Sequence, residues 1–317
     1  MDDFVEQLWR LVLRRAPDPE TAGRLERGEV SRARLVRELV ESREFERIEL
    51  LDDGLARARL ERGRRGRPRE LHAPSWSDER AIEIPWCLAR YHGEARVLDV
   101  GSANAERAYL EGLEALDAPE LVKVDLAEPA DVIADVRSLP FDDGHFDLAV
   151  CISTLEHIGR DNAVYGVENA HDDEGHATAL RELHRVLART GRLLFSVPTG
   201  VHEDHGWHLQ RAPLEWIELF EQSGFVVFED ELYLHTADGW RTATLAEAEA
   251  ARYESGGPGA GAVLLAELRP RRLSEKIRLA VRDVRRPDEP RRSTAAKASE
   301  QAVSNPATTR KNTRSET

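Results

Sequence analysis

The sequence predicts an α/β chain built on a mostly parallel sheet with helices on both faces. Three observations lead there. Between residues 76 and 268, short apolar runs alternate with segments of helical periodicity, the pattern of repeated strand–helix–strand units. Runs such as RVLDV (96–100), FDLAVCI (146–152) and RLLFSVP (192–198) are apolar nearly throughout, as in strands covered on both faces. The first run leads into a turn of very small residues, GSANA (101–105). Such sheets bind ligands at the carboxyl ends of their strands, near the point where strand order reverses.

The elements follow in order. SWSDERAIEIPWCLARYHG (75–93) predicts a lead-in helix, with Ile82, Ile84 and Trp86 packing and Glu83 at the mouth of the site. RVLDV is the first strand and ERAYLEGLEAL (106–116) a helix. LVKVDL (121–126) and DVIAD (131–135) are short strands, and FDLAVCI is the fourth. ATALRELHRVLA (177–188) is a helix, RLLFSVP a strand and PLEWIELFEQSG (213–224) a helix. FVVFEDELYL (225–234) and GAVLLAEL (261–268) close the series as strands.

Before this region the chain reads as helices. Phe4, Leu8, Leu11 and Val12 fall on one helical face. Pro19 is placed to start a second helix, which Gly28 ends. Ser31 is a candidate N-cap for a third, whose stripe is Leu35, Val36, Leu39 and Val40. The expected organisation is a helical module over 1–55, a charged linker over 56–75, the α/β domain over 76–268, and a basic segment with a disordered tail over 269–317. The stretch LWRLVLRRAPDPE…GEVSRARLVRELVESREFERI resembles the phycobilisome-linker-like helical module of bacterial surface-associated proteins. That resemblance implies packing or protein contacts and no chemistry.

Composition narrows the partners. The 317 residues carry a formal net charge of -14, which argues against nucleic-acid binding by the main body. There are only two cysteines, Cys87 and Cys151, too few for a disulfide framework, and a reducing cytoplasm is the natural reading. No run approaches the roughly 20 apolar residues of a membrane span. The tail is an exception to the acidic balance. Its segment 271–286 is basic and reads first as a solvated helix, with weak membrane-surface or protein docking as the alternative.

The loop after the first strand carries the chemistry. A dinucleotide turn needs Gly-x-Gly-x-x-Gly. Counted from Gly101, the second glycine falls on Ala103 and the third on Glu106. A glutamate there cannot give close helix packing and would repel a pyrophosphate. S-adenosyl-L-methionine has no phosphate and asks only for small residues at Gly-x-Gly-x-Gly spacing, here Gly101, Ala103 and Ala105. The alanines are tolerable if their backbone needs no positive φ. Asp99 could accept from the ligand's amino group. Asp125, ending the second strand 24 residues after Gly101, could accept both ribose hydroxyls. Asp135 could accept from the adenine amino group beside the Val136 N–H. The fourth strand runs into Ser153, Thr154, Leu155, Glu156 and His157.

Taken together, VLDVGSANA, VDL, ADVRSLPFDDGHFDLAVCISTLEHIG and ALRELHRVLARTGRLLFSVPTG resemble class I S-adenosylmethionine-dependent methyltransferases of the type 11 kind. The departures are the two lost glycines and Ala188-Arg189-Thr190-Gly191 at a turn where that family often has Lys-Pro-Gly-Gly. The resemblance implies a Rossmann-like doubly wound, seven-stranded sheet of order 3-2-1-4-5-7-6, with GAVLLAEL as the inserted antiparallel strand. It implies S-adenosyl-L-methionine as cofactor, held by Asp99, Gly101, Ser102, Ala103, Asp125, Leu126, Asp135, Val136, Ser153 and Glu156. It places His157 beside the transferred methyl, either as a general base or as a packing residue. PTGVHEDHGWHLQR (198–211) would recognise the acceptor, with Trp207 stacking on a sugar or ring and His205 as the alternative base. No closed set of metal ligands is apparent, and no metal is expected. The expected reaction is methyl transfer to a small-molecule or saccharide acceptor, at oxygen, in surface-polysaccharide metabolism. The rival reading is a catalytically silent scaffold that keeps the fold.

Overall fold

A computed structural model describes residues 3–61, 71–163, 166–167, 171–254 and 259–271. The chain opens with helices α1 (Asp3–Val12), α2 (Pro19–Glu26), α3 (Arg32–Val40) and α4 (Arg43–Glu61). Two of their starts follow the sequence signals. Pro19 opens α2, with the Asp18 side chain accepting from the Thr21 amide, and Ser31 caps α3 through the Arg34 amide. On α1 the expected Phe4, Leu8 and Val12 pack partly buried against the small cluster, but its fully buried residues are others. Val5, Trp9 and Leu13, at i, i+4 and i+8, are buried, whereas Leu11 is 80% exposed. On α3, Leu35 and Leu39 are buried and Val40 faces out.

Helix α4 crosses residue 55 without a break and packs along helix α5 (Arg80–Ala89). Its Leu51 and Leu55 belong to the same apolar cluster as Trp86, Leu113 and Leu265. The fourth helix is thus part of the α/β core, while Val5, Trp9, Val30, Leu35 and Leu39 form a separate small cluster.

Then come β1 (Arg96–Val100), α6 (Arg107–Glu114), β2 (Glu120–Asp125), β3 (Val132–Ile133) and β4 (Phe146–Ile152). A short 3-10 turn, Leu155–His157, precedes α7 (Gly175–Val186) and β5 (Leu187–Pro198). A small hairpin, β6 (Glu203–Asp204) and β7 (Leu209–Gln210), leads to α8 (Pro213–Gln222). The described chain ends with β8 (Phe225–Thr236), β9 (Gly239–Thr242), α9 (Leu245–Glu249) and β10 (Ala262–Pro270).

The main sheet has order β3-β2-β1-β4-β5-β10-β8-β9. Strands β1 to β5 run parallel, and β10 is antiparallel to both β5 and β8. This is the expected Rossmann-like order with its inserted antiparallel strand. It gains one strand, β9, which folds back on β8 as a hairpin. On one face Leu180, Leu183, Trp216 and Phe220 pack against Phe195 and Leu264. On the other, helices α4, α5 and α6 cover Val97, Leu148 and Leu194. Fully burying each large apolar side chain contributes about 1.5–3 kcal/mol, so both sheet faces hold strongly to their helices. No helix among the described residues is long and apolar enough to cross a membrane. The predicted tail and its basic segment from residue 272 lie outside the described residues.

Candidate functional site

A cleft of about 1110 Å³, counting its open mouth, lies at the carboxyl ends of β1, β2 and β4, where the strand order reverses. Gly101 forms its floor at φ +93°. A Cβ there would stand 2.0 Å from Thr154 Oγ1 and 2.8 Å from Thr154 Cβ. The one glycine kept in the loop is therefore the one that neither backbone nor neighbour allows to change. Ala103 and Ala105 are not among the described residues with positive φ, so the condition for their tolerance is met.

The loop is held by hydrogen bonds. Ala103 N–H donates to Asp125 Oδ2 at 2.9 Å, and Ala127 N–H to Asp125 Oδ1 at 3.1 Å. A carboxylate has about four lone-pair positions, so Asp125 keeps acceptor capacity toward the cleft, which it lines together with Leu126, Ala134 and Val136. The opposite wall is Ser153, Thr154, His157 and Ile158. Ser153 adopts φ +39°, and its hydroxyl donates to Glu83 at 2.7 Å. Strained positions of this kind gather at functional sites.

Of the residues expected to hold a cofactor, Gly101, Asp125, Leu126, Val136 and Ser153 line the cleft. Five others are placed elsewhere. Asp99 is buried beneath the loop, because its side chain points to the sheet face covered by α6, where Tyr109 Oη donates to it at 2.5 Å. Burial pushes its carboxyl up to about 7. Ser102 is also buried, its hydroxyl without a partner among the described residues. Ala103 contributes its amide to Asp125 rather than a surface to the cleft. Asp135 is gripped by Arg137 through the backbone amide and the guanidinium, with contacts of 2.6–3.0 Å. Arg137 reaches on to Asp172 at 2.7 Å. Glu156 sits 1% exposed behind the wall, and burial raises its carboxyl well above the usual range.

His157 lines the cleft. Its Nδ1 is 2.9 Å from the Trp207 carbonyl. A carbonyl only accepts, so Nδ1 carries the proton and Nε2 keeps the lone pair. Burial lowers the imidazole to about 4, so it is neutral at pH 7. Nε2 lies 3.7 Å from Glu156 Oε1. The Trp207 ring stacks on His157 with centroids 5.2 Å apart and packs edge-on to His208 and Tyr253. His205 does not line the cleft. It stacks on His208 at 4.4 Å and lies 3.8 Å from Glu203. His208 is 1% exposed, with both ring nitrogens unpartnered among the described residues. Among the described residues no three His, Cys, Asp or Glu side chains form a group able to hold a metal.

Several lining residues escape the sequence reading. Arg80, rather than Glu83, reaches the mouth. Glu83 is fully buried and holds the guanidinium at 2.8 Å. Tyr109 and Glu106 also line the cleft. The spacing of Arg80 and Glu83 by three on a helix was the available signal for their pairing.

Residues 98–195 match a family model described as a methyltransferase domain. Among solved structures, the chain is similar to 1,6-didemethyltoxoflavin-N1-methyltransferase of Burkholderia thailandensis, which was solved with 1,6-didemethyltoxoflavin and S-adenosylhomocysteine. The identity is 20%, over 72% of this chain and 90% of that one, with a TM-score of 0.41. It is also similar to the cyclase SpnF, at 16% identity over 71% of this chain and 95% of that one, TM-score 0.41. A third likeness is to a SAM-dependent methyltransferase of Methanosarcina mazei, at 13% identity over 57% of this chain and 94% of that one, TM-score 0.39. No curated protein sequence matches the chain.

Proposed function

We propose that the chain transfers a methyl group from S-adenosyl-L-methionine to an oxygen of a small-molecule or saccharide acceptor. The observation that carries this is the cleft itself. Gly101 lines it at a position where any Cβ would collide with Thr154, Asp125 offers an acceptor at the end of β2, and His157 stands on the facing wall. The methyltransferase-domain match spans all three. The residues fit the cofactor: Leu126, Ala134 and Val136 make an apolar wall suited to a planar base, and Asp125 suits a ribose.

When bound, S-adenosyl-L-methionine supplies an electrophilic methyl on a sulfonium that leaves as a neutral thioether. The chain's part is alignment and proton management. Asp125 accepts from ribose hydroxyls while fixing the Ala103 amide. His157, its Nδ1 proton committed to the Trp207 carbonyl, takes the acceptor's hydroxyl proton on Nε2 as the new carbon–oxygen bond forms. The ring cluster of half-buried Trp207 and Tyr253 around buried His208 backs that imidazole. The scaffold reading drew on the missing glycines, and it loses that support because Ala103 and Ala105 need no positive φ. A role in surface-polysaccharide metabolism, a cytoplasmic location and a protein-contact role for the first helices remain part of this proposal.

Calorimetry with S-adenosylmethionine, followed by mass-spectrometric screening of glycan and metabolite extracts with labelled methyl donor, tests it. Asp125→Ala weakens cofactor binding at least about tenfold, the loss of one charged hydrogen-bond partner, whereas His157→Ala mainly slows turnover. Equal effects of both variants on binding contradict the assigned roles. No binding by the wild-type protein at high micromolar cofactor overturns the proposal.

A further inference from the structure

Beyond its backbone hydrogen bonds, two carboxylate contacts fasten the cleft's loop, and one of them draws on a residue outside the family-matched region. At its start Ala103 is held by Asp125. At its end stands Glu106, which precedes α6 as N-cap residue without making a side-chain cap bond. Its carboxylate instead meets the guanidinium of Arg47, on α4. The same Arg47 nitrogen donates to Asp78 at 2.6 Å. Burial on its own would lower Arg47, but the two carboxylates outweigh it and raise the guanidinium above its ordinary value.

Helix α4 is a firm base for this contact. Gly54 lies so close to α5 that a Cβ would stand 2.6 Å from Pro85 Cγ. Gly112 of α6 similarly admits Leu88 and Leu55, at 2.6 and 3.4 Å from a built Cβ. The Arg43 guanidinium covers the Trp76 ring at 4.9 Å, and Arg14 bridges Asp52 of α4 to Glu111 of α6. Helix α4 is therefore fixed to both α5 and α6 beside the loop's end.

We propose that Arg47 is a positioning residue for the cofactor loop, holding Glu106 at the rim of the cleft so that residues 103–106 are set before any ligand arrives. Without Arg47, Glu106 stands as an unpaired carboxylate in a cleft that already holds Asp125, and Asp125 is left as the loop's one carboxylate anchor among the described residues. The contact is made between two side chains of the chain itself. Its consequence for affinity rests on reading the cleft as an S-adenosylmethionine site.

Two measurements on the full chain test the inference separately. Hydrogen exchange of the unliganded protein compares amides 102–107 in Arg47→Ala with wild type and with Arg10→Ala, which removes an exposed pair with Glu6. Exchange in that segment accelerates in Arg47→Ala only, while the β4 and β5 amides keep wild-type protection. Calorimetry with S-adenosylhomocysteine then shows affinity weaker by about fivefold, the size of one partly buried ion pair. Arg47→Lys, which keeps the charge but loses the fork, falls between. In the Glu106→Gln background the Arg47→Ala effect shrinks. Unchanged exchange at 102–107 overturns the inference, as does faster exchange with unaltered affinity. If wild type fails to bind S-adenosylhomocysteine, the proposed function fails and the exchange comparison still decides the role of Arg47.

Discussion

Replacing Gly101 with alanine makes two demands that the structure lets one weigh separately. The backbone sits at φ +93°, and placing an L-residue in left-handed territory costs about 1–3 kcal/mol. The added methyl would also stand 2.0, 2.6 and 2.8 Å from three atoms of the Thr154 side chain. Thr154 is not free to turn away without loss. Its hydroxyl donates to the Ile152 carbonyl at 2.9 Å and approaches the Val100 carbonyl at 3.3 Å. Overpacking of this sort costs about 1–3 kcal/mol more. The expected loss is therefore about 2–6 kcal/mol in urea unfolding, a large part of the roughly 5–15 kcal/mol of a typical domain. Gly101→Ala combined with Thr154→Ala removes the two closest contacts and recovers part of the loss. The backbone strain and the contact to the remaining Cβ persist. A single variant that loses under about 1 kcal/mol, the average for any mutation, refutes the reasoning. So does a double variant no more stable than the single one.

Two further predictions concern protons. Burial lowers His208 to about 3, below the ordinary 6.5, so the unfolded chain binds the proton that the native protein refuses. Its contribution to stability is lost as pH falls from about 6.5. His208→Phe should shrink the drop in unfolding free energy, measured by urea, between pH 7.5 and pH 5 by about 1–2 kcal/mol, and an undiminished drop counts against that environment. Asp99 has the opposite sign. Its carboxyl is raised to about 7, so its contribution is intact below the unfolded value and is lost as pH rises through 7. Asp99→Asn, which can still accept from Tyr109, should therefore gain stability relative to wild type between pH 6 and pH 8.5, and parallel stability curves would contradict the shift.

The sheet was legible because its signals are local. Apolar runs of strand length, helices after β1 and β4 and small residues after β1 suffice for the parallel half. The continuous burial of β10 is already visible in GAVLLAEL. Strand β9 was missed because Gly239–Thr242 is only four residues long and has no apolar run of its own. The boundary at residue 55 was drawn on charge, since arginine and glutamate crowd the following stretch. The stripe that carries α4 onto α5 is Leu51 and Leu55 around Gly54, too small to stand out against that charge.

The site divides along the same line. Gly101, Asp125 and Val136, placed by backbone geometry, came to line the cleft. Residues whose side chains had a nearer partner did not. Asp99 is claimed by Tyr109 ten positions on, and Asp135 by Arg137 two positions on. Sequence spacing reports that a carboxylate ends a strand but not which donor reaches it first. Glu106 shows the limit most sharply. It spoke against a dinucleotide on two grounds, charge and packing. Its charge is answered by Arg47, 59 positions earlier, which no local pattern could reveal. The packing ground stands on its own: the glycine that gives α6 its close approach is Gly112, and it approaches Leu88 of α5 and Leu55 of α4 rather than strand β1. A helix anchored on its neighbours in this way can begin with a glutamate, and the loop before it can hold its shape with a single glycine.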